Sequence, residues 1–341
     1  MSPRWSGWDD VNARARGLTT HLLRRAQLEE LGRAADLEHL VRLLEQWGYR
    51  SVPREAPFGA AATEAMVRRE AARRLGLLAR WCGPRAEILA VIFLDEDRRS
   101  LRALLRGAVA SAPPDARLAG LIPTPALPLR ALEELARLAD FRAIGTLLAA
   151  WRHPFGEIIR THAEPTPDLL RVEVDLAREF ARRSLANAER GDRFLLRHAS
   201  RLVDLENLWS ALMLAESPDE VDPAGCFVPG GEGLPLARYL QAATADPADA
   251  GRLLAGAIGD PVLSVVIRGH RGVLVDLEDA ALRAMLREAR KEARIRPLGS
   301  APVIGYALGV RAEVRDLQHL IWGSALGAPP ATLAADLVVT A

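Results

Sequence analysis

The sequence predicts an all-α chain built three times over from one helical unit, and three observations predict it. A helical phrase returns at intervals of about a hundred residues: Leu43-Leu44-Glu45-Gln46-Trp47, Leu147-Leu148-Ala149-Ala150-Trp151 and Leu253-Leu254-Ala255-Gly256-Ala257. A second phrase keeps the same period: an acid, a polar residue three later, Leu at four and an apolar residue at eight. It reads Asp97, Ser100, Leu101, Leu105, then Asp204, Asn207, Leu208, Leu212, then Glu313, Asp316, Leu317, Ile321. Aromatics are only 5% and Ala, Leu, Arg and Glu dominate, a composition of helices rather than strands. The 341 residues exceed one ordinary core, so units are expected at 1–112, 113–218 and 219–341.

In the first unit, Asn12 to Arg25 and Leu28 to Trp47 form a helical hairpin, with Leu28, Leu31, Leu37, Leu40, Val41, Leu44 and Trp47 at three-and-four spacing and Asp36 as N-cap of the second arm. Pro53, Pro57 and Gly59 break the chain. A long helix over Thr63–Trp81 is stopped by Gly83-Pro84, and Arg85 to Ala110 carries the acid-led phrase up to Ser111-Ala112-Pro113-Pro114. The second and third units open on turns, Leu121–Leu127 and Phe227–Leu234. Each continues with a helix holding the Leu-Leu phrase (Ala131–Trp151; Leu236–Ile258), a proline break at Pro154 or Pro261, a long helix (Asp168–Glu189; Leu277–Arg294) and the acid-led helix. Glu173, Asp175, Glu278 and Asp279 give the long helices acidic starts, which suit helix N-termini. Val262–Ile267 and Val273–Val275 allow a short β-hairpin around Arg268–Gly272.

Lys291 is the only Lys beside many Arg, yet the formal net charge is +1, so no basic face for nucleic acid is expected. Alternations such as Arg68, Arg69, Glu70, Arg73, Arg74 and Arg287, Glu288, Arg290, Lys291, Glu292 read as solvated faces. Cys82 and Cys226 are far apart and outside any paired motif, which supports neither a disulfide framework nor a zinc site. Met1–Asp10 carries no signal-peptide pattern, and the longest apolar run, Ile88–Leu94, is too short to span a bilayer. The expected chain is soluble, with no direct membrane insertion.

Catalytic chemistry finds little footing. Gly230, Gly231 and Gly233 lack the following Lys of a phosphate loop and read as a tight turn. No nucleophile elbow occurs, and none of His21, His39, His153, His162, His198, His270 and His319 has metal-ligand spacing. Adjacent acids such as Asp95 with Asp97 read as caps rather than as a pair facing one substrate. No catalytic, cofactor or metal residue and no small-molecule substrate is expected. In the acid-led phrase, positions 0, 4 and 8 make one stripe, so an acid stands at the end of an apolar ridge. Two readings stay open: a ridge packed inside its own unit, or three similar contacts presented to a partner.

The ordered set Val11–Arg16, Asp97–Gly107, Ile122-Pro123, Asp204–Leu208, Val228-Pro229-Gly230-Gly231, Pro302–Tyr306 and Glu313–Leu317 through Gly323 covers nearly the whole chain. It resembles the C subunit of the archaeal and bacterial V-type/A-type ATPases, which is the d subunit of the eukaryotic vacuolar enzyme. Departures are Ser100 for the usual Asn, Met213-Leu214 for Arg-Gly, and Pro123-Thr124 for Pro-Gly. The resemblance implies a funnel of three pseudo-symmetric, V-shaped helical domains. It would sit on the cytoplasmic side of the membrane as a non-catalytic socket between the proteolipid c-ring and the D and F subunits of the central stalk. It also implies a charged rather than apolar cavity rim. Asp97, Arg102, Arg106, Asp204, Asn207, Glu313 and Asp316 are the expected partner contacts. The rival readings are an open helical-repeat scaffold of another complex, and an enzyme if a deep apolar pocket converged on His153 or His270.

Overall fold

The computed structural model describes residues 7–50, 59–87, 89–162, 167–216, 221–270 and 274–339. Among the described residues there are 18 α-helices and no strand. The first stretch holds α1 (Asp9–Thr19), α2 (Arg25–Gly32), α3 (Leu37–Gln46), α4 (Ala60–Cys82), a 3-10 turn over Gly83–Glu87, and α5 (Ala90–Val109). The second holds α6 (Pro114–Leu118), α7 (Leu129–Arg137), α8 (Phe141–Ala150), α9 (Gly156–Thr161), α10 (Leu169–Ala188) and α11 (Arg193–Glu216). The third holds α12 (Pro223–Cys226), α13 (Leu236–Ala243), α14 (Pro247–Ala257), α15 (Pro261–Arg268), α16 (Leu274–Ile295), α17 (Ala301–Ala325) and α18 (Pro330–Ala335).

The Leu-Leu helices α3, α8 and α14 start in one way. Asp36, Asp140 and Asp246, each seven residues before the Leu pair, cap them by accepting from the amides of His39, Ala143 and Ala248. Their inward residues Leu40, Leu44, Ile144, Leu148, Ala250 and Leu254 are fully buried. The caps also split two regions that the sequence reads as single helices: Ala131–Trp151 is α7 and α8, and Leu236–Ile258 is α13 and α14.

The expected β-hairpin does not form. Val262–Ile267 lies in α15, where Pro261 occupies the first turn and the Asp260 carboxylate accepts from the amides of Val262 and Leu263. Leu263, Val266 and Ile267 face the core while Val265 is 63% exposed, a helical pattern that overrides β-branched propensity. Val273 lies outside the described residues, and residues 274–275 begin α16.

α5 and α11 pack on helices that follow them in the sequence, and α17 packs back on the start of the chain. α5 lies on α6, α7 and α10, α11 on α13 and α14 as well as α10, and α17 on α1, α2, α3 and α4 as well as α16. The segments that feed these helices also meet one another. Arg85 pairs with Asp10 at 2.8 Å, and the Asn12 amide donates to the carbonyls of Pro297 and Gly299 at 3.1 and 2.9 Å. Ser300 donates from its N–H and hydroxyl to Asp192 at 2.6 and 2.7 Å, and Arg190 reaches Glu87 at 3.3 Å. This closes a ring of contacts around the starts of α5, α11 and α17.

In the second stretch α8 and α9 touch backbone to backbone. A Cβ on Gly156 would run into the Ala149 amide nitrogen, and one on Gly145 would sit 2.6 Å from the Arg160 nitrogen. Gly145→Ala and Gly156→Ala are each expected to cost about 1–3 kcal/mol or more by overpacking. Gly251→Ala in α14, where nothing lies within 4 Å, is expected to stabilise by about 0.4–1 kcal/mol. Urea unfolding midpoints of the three variants check both signs.

Candidate functional site

The repeated acids lie inside the protein, each between an acid-led helix and the elements that helix packs upon. Asp97 is 1% exposed and accepts from the Thr124 hydroxyl, with the His153 Nε2 at 3.3 Å. Asp204, equally buried, accepts from the amides of Gly233 at 2.7 Å and Leu234 at 3.1 Å in the turn that opens the third stretch. Glu313 accepts from the Leu23 amide, the Tyr49 hydroxyl and the Arg74 guanidinium, all in the first stretch. The three-later position behaves likewise. Asn207 exchanges two 2.8 Å hydrogen bonds with the backbone of Val228, and Asp316 accepts from the amides of Val338 and Val339.

The turn chemistry fits these acids. A Cβ on Gly231 would strike the Asp204 carboxylate and one on Gly233 would lie 2.9 Å from it, so only glycine lets the amides close on the oxygens. In the second stretch Thr124 stands in the opening turn where the third has Gly230-Gly231. There the acid is met by a hydroxyl and an imidazole in place of two amides, which accounts for the Thr124 departure.

Between α5, α10, α11, α16 and α17 lies a network of charges. Arg98, 2% exposed, reaches Asp95 at 2.9 Å and Glu206 at 2.6 Å, and stacks on Phe180. Arg99 and Arg311 also bind Asp95, at 3.0 and 2.9 Å. Arg102 joins Glu173 and Glu206, both at 2.9 Å, and Arg106 holds Glu173 by two 2.6 Å bonds; both guanidiniums stack on Trp209. Burial would raise the Asp95 carboxyl, but Arg99, Arg98 and Arg311 hold it well below the usual range. Burial opposes Arg98 and Arg102 at Glu206 as well, and the cations bring it down to about 2. Glu96 goes the other way: burial outweighs its 3.2 Å contact with Arg311 and raises it. Burial also depresses His198 to about 4, with Arg201 nearby adding to the effect.

A cavity of about 260 Å³ opens where α5 and α17 part, lined by Glu96, Arg99, Glu278, Asp279, Arg311 and Arg315 among others. A second, of about 510 Å³, adjoins it at Gly120, Asp279, Arg315 and Gln318 and carries Glu64, Asp276 and Asp336. Both walls mix charged side chains with apolar ones such as Leu121, Ile122 and Leu282 in the first and Trp322 in the second. Of the seven expected partner contacts, Asp97, Asp204, Asn207, Glu313 and Asp316 are buried and bonded to the chain itself. Arg102 has a 13% exposed side chain and Arg106 a 49% exposed one.

Sequence reasoning took Asp95 and Asp97 for caps, whereas both lie buried inside α5, and it missed Arg98, Glu206 and Arg311. It also read Arg68, Glu70 and Arg74 as solvated, although all three are buried and Arg74 is paired with both Glu70 and Glu313. Glu173, Asp175, Glu278 and Asp279, read as helix-start charges, each pair with an Arg: Arg102 and Arg106, Arg178, Arg99 and Arg315. Only Asp95 with Arg98 and Arg99, Glu70 with Arg74, and Asp175 with Arg178 carried a local signal, an arginine three or four residues on; the other pairs join residues far apart in the sequence. His153 is enclosed beside Asp97, and His270 lines an open groove of about 550 Å³ with Glu216, Arg252 and Arg268, so neither is the focus of a deep apolar pocket. Cys82 and Cys226 are free thiols. Among the described residues no group of His, Cys, Asp and Glu has the arrangement of a metal site, and no helix is long and apolar enough to cross a membrane.

The family model described as ATP synthase (C/AC39) subunit matches residues 11–335. The C subunit of the V-type ATP synthase of Thermus thermophilus, in each of two strains, is 30% identical over 341 residues, covering 96% of this chain and 97% of that protein. The C subunit of the A-type ATP synthase of Halorubrum lacusprofundi is 30% identical over 147 residues, 40% of each chain.

Glu206 links α11 to two arginines of α5, so its removal leaves Arg98 with Asp95 and Arg102 with Glu173 as their remaining partners and takes one anion from the buried network. Glu206→Gln is expected to lower stability at neutral pH by on the order of 3 kcal/mol. With a folded value of about 2 against 4.5 unfolded, the Glu206 contribution is complete above about pH 4.5 and is lost as pH falls toward 2. Urea unfolding of both proteins across that range is expected to show their difference shrinking with acidification. A constant difference contradicts the ion-pair origin.

Proposed function

The chain belongs to the ATP synthase (C/AC39) subunit family, and from that premise we propose that it is the central-stalk socket of its complex. It is a non-catalytic, structural subunit of a V/A-type rotary ATPase. In this reading its three helical units surround one axis, the foot of the D and F subunits enters the charged cavity, and the opposite side rests on the proteolipid c-ring at the cytoplasmic face. Rotation passes through it to couple ATP turnover to ion transport.

The observation that carries the reading is the bonding of Glu313 in α17 to Leu23, Tyr49 and Arg74. With Asp97 and Asp204 tying the other two joints, strain applied at one unit is handed around the body and back to its start. An open scaffold would leave its first and last repeats apart, whereas α17 packs along α1 to α4. The load is appreciable: each charge crossing 100 mV supplies about 2.3 kcal/mol, so a few charges store on the order of 10 kcal/mol between chemical steps. Buried hydrogen bonds to charged groups contribute about 1.5–3 kcal/mol each, so several acting together match that scale.

The half-exposed arginines suit contact with a partner: Arg106 at 49% and Arg315 at 45%, the latter on the cavity wall. A tagged chain recovered from native membranes is expected to bring D, F and proteolipid subunits with it. Arg315→Glu with Arg106→Glu is expected to cut recovery of D and F about tenfold, as high salt does; because both arginines also pair with acids of the chain, Asp279 and Glu173, a thermal melt checks that the isolated variant still folds. Failure to recover any of the three partners, or recovery indifferent to both charge reversal and salt, contradicts the proposal.

A further inference from the structure

We propose that Asp204 and Asp316 are proton-responsive latches, holding the third opening turn and the C-terminal segment more tightly in mildly acidic than in mildly alkaline surroundings. The inference concerns the isolated chain and stands apart from the socket reading. It starts from a contrast among the three repeated acids and Asp316, which stands at the three-later position of the third phrase. Glu313 meets a guanidinium and Asp97 an imidazole, so their buried charge has a cationic or ionisable partner. Asp204 and Asp316 are as deeply enclosed, at 1% exposure each, yet among the described residues their hydrogen bonds come from backbone amides: Gly233 and Leu234 for one, Val338 and Val339 for the other.

The charged groups around each acid are engaged elsewhere. Asp204 faces another acid, Asp260 at the start of α15, and the nearby cation Arg201 is spent on Asp260 and on Glu288 of α16. Asp316 faces Asp279 of α16, which Arg315 holds. The other neighbour, Arg25 of α2, points its guanidinium at the carbonyls of Ala334, Leu337 and Val339 and at Glu29. An ionised carboxylate at either place is a buried anion next to a second anion, supported only by amide dipoles. Protonation removes that cost: the carbonyl oxygen still accepts from its amide, and the hydroxyl oxygen accepts more weakly.

Burial therefore raises both carboxyls, against the pull of their amide donors, to about 6. The folded form then binds the proton more strongly than an open form near 3.8. The latch is fully stabilised below the open-state value and loses that stabilisation as pH rises through about 6. Between about pH 5 and about pH 7.5 the opening constant of each latch rises about tenfold.

The test is amide hydrogen exchange on the full chain, corrected for the intrinsic pH dependence of exchange. The amides of Gly233, Leu234, Val338 and Val339 are expected to open about tenfold more readily at the higher pH. Asp204→Asn should abolish that dependence at Gly233 and Leu234 while leaving it at Val338 and Val339, and Asp316→Asn the reverse. Should either variant fail to fold, the carboxyl carbon-13 shifts of the wild-type aspartates serve instead, with two titrations near 6 expected. Opening constants that stay flat from pH 5 to 7.5, variants that keep the slope at their own amides, or titrations near 4 would each overturn the proposal.

Discussion

A carboxylate taken out of water must be met by hydrogen bonds or by a cation, and the placement of the repeated acids makes the rest of the structure answer that demand. Asp97, Asp204 and Glu313 are each about 1–2% exposed, far from the aqueous setting a helical acid usually keeps. Their oxygens can be satisfied only by groups brought from another part of the chain: a threonine hydroxyl and a histidine, two amides of a glycine turn, or a tyrosine, an arginine and an amide. The glycine turn, Arg74 of α4 and the packing of α17 on the first stretch all serve to meet those acids.

The arginine network adds a second constraint. Acid-led helices that touch one another little through their backbones are bridged by long side chains, Arg98 and Arg102 from α5 to Glu206 of α11, and Arg311 of α17 to Asp95 of α5. An apolar filling would be as stable or more so. Ion pairs instead demand one register, because a helix displaced by a turn leaves Asp95 or Arg98 unpaired in the interior. If the subunit acts as the proposed socket, that register is the useful property. Arg99 and Arg311 of this network also line the cavity where the helices part, so the interior network reaches that wall.

Much of this was legible in the sequence. The two phrases gave the all-α class and the equivalence of Asp97, Asp204 and Glu313, and the ordered motifs pointed to the family. What a helical stripe cannot reveal is its neighbour: the ridge of Asp97, Leu101 and Leu105 reads alike whether it packs within its own unit or, as here, upon α10 of the next. Burial was equally hidden. Arg68, Glu70 and Arg74 alternate like a solvated face, and only the arrival of Glu313 from the far end of the sequence makes Arg74 an interior residue. The β-branched run Val262–Ile267 misled because Asp260 and Pro261, which start α15, are weak signals beside the run itself.

The claim that the repeated acids bind distant parts of the chain is tested most directly by a double-mutant cycle between Glu313 and Tyr49. Glu313→Gln, Tyr49→Phe and the double variant would be compared by urea unfolding at neutral pH. Contact across the body predicts a coupling of about 1–3 kcal/mol. Additivity within about 0.3 kcal/mol would mean that α17 and the first stretch are not joined through this carboxylate, and the account of closure would fail.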